Sequence, residues 1–120
     1  GVFSQAYRVG PWIWVSGQIA LDREFRPIGV GDLGQQTTAA LTAVKDIVEA
    51  GGGTLSDVVK TTVYLAAGQD RARFADAYQR FFDQHTGGRW LPAGLTVEVP
   101  DLAPPCLVEI DAVAYLGAAG

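Results

Sequence analysis

The chain has 120 residues, 48% hydrophobic and 18% charged, which suits one domain with one core and argues against disorder. Its formal net charge is −4 and it has no Lys/Arg run, which argues against binding driven by nucleic-acid phosphates. Cys106 is the single cysteine and His85 the single histidine, so an internal disulfide and a zinc ligand cluster are excluded, and no apolar run reaches bilayer-spanning length.

The expectation is a cytoplasmic protein with no metal and no membrane partner. The chain opens at Gly1 inside what reads as a structured segment, so further residues upstream are expected.

"AYRVG" and "WIWVSGQIAL" read as two strands joined at Gly10 and Pro11. "REFRPIG" reads as a short edge strand, a placement that Pro27 favours. Next comes the clearest helix, "DLGQQTTAALTAVKDIVEAGGG". Asp32 is its N-cap, Gln35 completes a capping-box pattern, and Gly51 ends it. Leu33, Thr37, Ala40, Leu41, Val44, Ile47 and Val48 recur at helical spacing.

"DVVKTTVYLA" is rich in β-branched residues and reads as a strand. "DRARFADAYQRFFDQH" is a second amphipathic helix, with Phe74, Ala77, Tyr78 and Phe81 inward. Two strands follow, from Leu95 and from Leu107. In the first, Leu95, Val97 and Val99 are expected on the buried face, with Thr96 and Glu98 on the other in line with Gly94.

The order predicts an α+β fold, a mixed β-sheet with two helices on one face. The other face is left bare, carrying Trp12, Trp14, Val113 or Tyr115 according to register, which points to oligomerisation.

Few residues carry chemistry. Ser16 and Gly17 inside a strand mark a kink or a close backbone approach. Glu98, Glu109 and Asp111 read equally as acid/base groups or as solvated residues. His85 reads as a helix-terminal surface residue, Cys106 as a small buried hydrophobe, and "GVG" at 29–31 as a loop.

Taken together, "FSQA", "VSGQIALD", "SDVVKTTVYL", "FADAYQRFF", "LPAGLTVEVPDL" and "LVEIDAVA" resemble the RidA/YjgF family along nearly the whole chain. The resemblance implies a chorismate-mutase-like homotrimer with small-molecule pockets at its subunit interfaces and no cofactor. It implies hydrolysis of reactive imines and enamines to keto acids and ammonia.

The family's last-strand Glu matches Glu109, implied to activate water or move a proton. Ser16 and Gly17 match the pocket backbone, and Thr96 stands where Cys is frequent. Phe3 replaces a Tyr, Ala75 an Asn, and Gly94 the Arg that pairs with a substrate carboxylate. Arg89, in an insertion of about two residues around Thr86 to Trp90, is the candidate replacement cation. The resemblance therefore implies a hydrolase of altered specificity. A non-catalytic metabolite-binding module is the alternative, and RNA cleavage a third reading that the charge disfavours.

Overall fold

The structure is a computed structural model and describes residues 2–118; the expectation about the chain upstream of Gly1 lies outside them. β1 (Ala6–Val9) and β2 (Trp12–Gln18) form the expected hairpin, turned at Gly10, whose φ of 55° lies in the left-handed region. β2 loses register between Val15 and Gln18, so Ser16 and Gly17 form a bulge.

The edge strand expected from "REFRPIG" is not formed; only a bridge pairs Leu21 with Pro27. The Asp22 carboxylate is the reason. Its Oδ1 accepts the backbone N–H groups of Glu24 and Arg26, each at 2.9 Å, and curls the segment into a tight turn.

α1 (Leu33–Ala50) starts at Asp32, whose Oδ1 accepts the Gln35 N–H at 3.0 Å. The reciprocal half of the expected capping box is missing, because the Asp32 N–H donates to the Gly29 carbonyl at 2.8 Å. A 3₁₀ turn (Leu55–Asp57) leads into β3 (Val58–Ala66), α2 (Arg71–Thr86), β4 (Ala93–Val99) and β5 (Val108–Tyr115).

The sheet order is β1-β2-β5-β3-β4, with β3 and β4 parallel and every other pair antiparallel. Both helices lie on one face. α1 packs on β2 and β5, and α2 lies beside α1. The core fills the space between, from Leu41, Val44 and Val48 on α1, Phe74, Phe81 and Phe82 on α2, and the inward residues Ile13, Leu65 and Ile110 of the strands.

Gln36 is buried as well, and its amide anchors the loop before β5. Its oxygen accepts the Leu107 N–H at 2.8 Å and its nitrogen donates to the Pro105 carbonyl at 3.3 Å.

The opposite face is open. Trp12, Trp14 and Tyr115 are exposed on it, with Trp12 and Tyr115 edge to face at 4.8 Å. β4 corrects the sequence expectation. Gly94 pairs with Thr61, Thr96 with Val63 and Glu98 with Leu65, all residues of β3 that face the helices. Leu95 and Val97 therefore lie on the open face, 51% and 36% exposed. A period of two assigns residues to two faces, but it does not say which face the helices cover.

Candidate functional site, split between two faces of the sheet

The predicted site residues other than Arg89 fall into two clefts. One lies on the helix side, between α2 and the edge strand β4, and encloses about 340 Å³. Phe74, Ala75, Leu91 and Pro92 give it apolar walls, and Gly94 and Thr96 form its β4 side. Its polar groups are neutral. The Thr61 and Tyr78 hydroxyls share a hydrogen bond of 2.7 Å, and Thr96 and Gln79 supply a further hydroxyl and an amide. Burial pushes the Tyr78 phenol up, outweighing the opposing effect of Thr61, so it stays protonated. No charged side chain lines this cleft.

Gly94 packs closely on β3. A Cβ on it would stand 2.5 Å from the Thr61 carbonyl oxygen and 3.0 Å from Thr61 Oγ1. The β3 backbone thus lies directly against position 94. Arg89 lies apart from this cleft in the single chain. It is exposed on the loop after α2 and outside the cleft lining, with no hydrogen bond or ion pair among the described residues.

The second cleft lies on the open face and encloses about 470 Å³. Glu109 is on β5, opposite Tyr64 of β3, and its carboxylate lies against the Gly17 bulge. A Cβ at Gly17 would overlap Glu109 Oε2, so the bulge glycine lets the carboxylate in. Ser16, Phe3 and Phe25 line the same cleft, and the Ser16 hydroxyl donates to the Ser4 carbonyl at 2.6 Å. That bond ties the N-terminal segment to the bulge and sets Phe3 at the cleft wall.

On this face Asp111, burial and Glu109, in that order, hold the Tyr64 phenol above its ordinary value. A neutral O–H donor thus stays beside two carboxylates. Burial, with a smaller effect of Glu109, also raises the Cys106 thiol, which fits its reading as a buried hydrophobe and not a nucleophile. His85 is on the surface at the end of α2, its ring 4.3 Å from that of Phe81.

Glu109 and Thr96, both matched by the resemblance to pocket positions and expected to be catalytic, are not brought together within one chain. They stand on opposite faces of one sheet. Sequence reasoning also missed Phe25 and the Thr61–Tyr78 pair. The latter two sit in "KTTVY" and "ADAYQ", where alternation and helical spacing mark them only as inward.

The fold is that of a small α+β protein, two helices packed on one face of a five-stranded mixed sheet. The family model described as Endoribonuclease L-PSP matches residues 1–116. A RutC family protein of Pyrococcus abyssi is 41% identical over 115 residues, covering 96% of this chain and 87% of that protein. The 2-iminobutanoate/2-iminopropanoate deaminase of Salmonella typhimurium is 35% identical over 114 residues, covering 95% of this chain and 87% of the enzyme. The crystal structure of the YjgF gene product of E. coli superposes with a TM-score of 0.87 at 34% identity, over 96% of this chain and 88% of that one. The chain belongs to this Endoribonuclease L-PSP family, the RidA/YjgF family.

Proposed function

We propose that the protein is a Rid-type hydrolase of reactive imines or enamines, working as a homotrimer in which the α2–β4 cleft of one protomer meets the Glu109 cleft of the next. The observation that carries it is Glu109, a carboxylate admitted by a bulge glycine into an open cleft. Its oxygens are accessible to a water molecule, and accepting a proton from that water makes it a nucleophile toward an imine carbon. The helix-side cleft would bind the rest of the substrate.

A second copy is needed because the two halves face opposite ways in one chain. The open face, with Trp12, Trp14 and Tyr115 exposed, is the apolar surface that such packing would cover. The relatives named as imine deaminases support the reaction class.

The test is release of carbonyl product from imines generated in situ, followed against the spontaneous rate. Acceleration that is lost in Glu109→Ala is the expected result, and equal acceleration in that variant refutes the Glu109 role. Light scattering should give three times the 12.7 kDa chain mass. A metabolite-binding module would bind a ligand with no turnover. RNA cleavage is not supported by the net charge of −4, and RNA left intact at low salt is the expected outcome.

A further inference from the structure

The charges around the two half-sites restrict what the proposed site can hold. The α2–β4 cleft has no charged lining residue, and a side chain at position 94 would crowd the Thr61 carbonyl unless β4 shifted. The Glu109 cleft has two charged lining residues, both carboxylates: Glu109 and Asp22. Arg26 pairs with Asp22 at 3.0 Å, so that charge is offset and Glu109 dominates. Lys60 lines a neighbouring cleft, four residues along β3 from Tyr64, which is about 13 Å of strand.

Two aromatic rings complete the Glu109 cleft. Phe3 is 85% and Phe25 74% exposed, and both line it. Phe25 alone among the described non-glycine residues has a positive φ, 62°, a conformation that bulky side chains rarely adopt. The turn fixes it there. Asp22 accepts from Glu24 and Arg26 through its side chain and from the Phe25 N–H, at 3.0 Å, through its carbonyl. A carboxylate in a cleft that two aromatic side chains line and no cationic side chain does is a site for an organic cation.

We infer that the substrate is an imine protonated on nitrogen and without a carboxylate, as formed by two-electron oxidation of a primary amine, with an apolar substituent. This rests on the reading of the paired clefts as one hydrolytic site. The iminium nitrogen faces Glu109, Phe3 and Phe25, and the substituent enters the α2–β4 cleft. Water adds to the carbon, forming a C–O bond as the C=N π pair moves to nitrogen, and Glu109 takes the proton of the water and passes it to nitrogen. The C–N bond then breaks. The balance is R–CH=NH₂⁺ + H₂O → R–CHO + NH₄⁺. A substrate carboxylate would meet Glu109 with no partner of opposite charge, so imines derived from amino acids are selected against.

The test titrates matched probes into the assembled protein by calorimetry: isoamylamine against leucine, and phenethylamine against phenylalanine. The amines should bind about tenfold or more tightly than the amino acids. Phe25→Ala should weaken amine binding by about two- to thirtyfold, the span of one cation–aromatic contact, and Glu109→Gln should remove the preference. Amino acids binding as tightly as the amines, no binding of either, or an unaltered Phe25→Ala would each overturn the inference. Imines made from the same amines by an amine oxidase separate it from the hydrolytic reading. Preferred amine binding with no hydrolysis sinks the hydrolytic reading and leaves the cation site standing. Hydrolysis confined to imines of the amino acids does the reverse.

Discussion

Gly17→Ala is the sharpest perturbation of the proposed chemistry, because it moves a carboxylate without deleting it. The added methyl would overlap the end of the Glu109 side chain and touch no backbone among its nearest contacts. Glu109 must retreat by about 1 Å to reach ordinary van der Waals contact. The side chain is flexible and its cleft is open, so the retreat costs no more than an off-rotamer torsion, about 0.5–1.5 kcal/mol. The variant should therefore fold, with a melting temperature lowered by a few degrees. A displacement of about 1 Å in a positioned catalytic group costs about 100-fold in rate. The assay is imine hydrolysis above the spontaneous rate, run with calorimetric melting on the same samples. A folded variant with about one-hundredth of the activity is expected. A folded variant of full activity would show that the placement of Glu109 beside the bulge does not matter, and the proposed role would fall with it.

Three further outcomes are expected. Gly94→Ala meets the carbonyl of Thr61, which is backbone, so β4 has to shift; a loss of about 1–3 kcal/mol in urea unfolding is expected. Tyr78→Phe leaves the buried Thr61 hydroxyl without its partner and should cost about 1–3 kcal/mol, whereas Thr61→Val combined with Tyr78→Phe should recover part of it, a double-mutant cycle that an equal or larger loss would contradict. The Gln35 N–H, opposed by desolvation and helped by Arg73, lowers the Asp32 carboxyl below its usual 3.8. Its contribution to stability is complete above the unfolded value and is lost as pH falls through the lower folded value, so melting scans of Asp32→Asn should show a weaker pH dependence below about 4 than the parent.

Residues with a local cause were legible in the sequence. Asp32 caps its helix through its own carboxylate, Gly10 turns its hairpin by its φ, and the Ser16–Gly17 pair marks a bulge. What failed depended on partners distant in sequence. "LTVEV" alternates identically whether its apolar side chains meet the helices or the open face, and only the register against β3 decides. "REFRPIG" has the composition of an edge strand, but Asp22 competes for its backbone donors and wins. Glu109 and Gly17 were each singled out, yet nothing in a one-dimensional pattern shows that one occupies the space the other leaves. Phe25 escaped because a phenylalanine with positive φ has no sequence signature.

The division of the site between two faces has a consequence for specificity. In a single-chain pocket, changing the recognition wall disturbs the catalytic group beside it, because both share one packed core. Here α2 and β4 shape the proposed recognition half, whereas Glu109 lies on β5 against the bulge of β2, in a cleft that the Asp22 turn also lines. The two halves share the sheet but no lining residue, and β3 contributes to the first through Thr61 and to the neighbourhood of the second through Tyr64, which point oppositely from one strand. A substitution at position 94 therefore alters the α2–β4 cleft and leaves the Glu109–Gly17 contact intact. Substitutions on the two faces should combine additively in free energy of folding, since residues without shared partners do not couple. In activity they should couple in the proposed assembly, where each α2–β4 cleft would meet the carboxylate of a neighbour. Tyr78→Phe with Gly17→Ala is the pair to measure. Additive stability with non-additive hydrolysis is the signature of a site made between copies, and additivity in both would place the chemistry within one chain's own cleft.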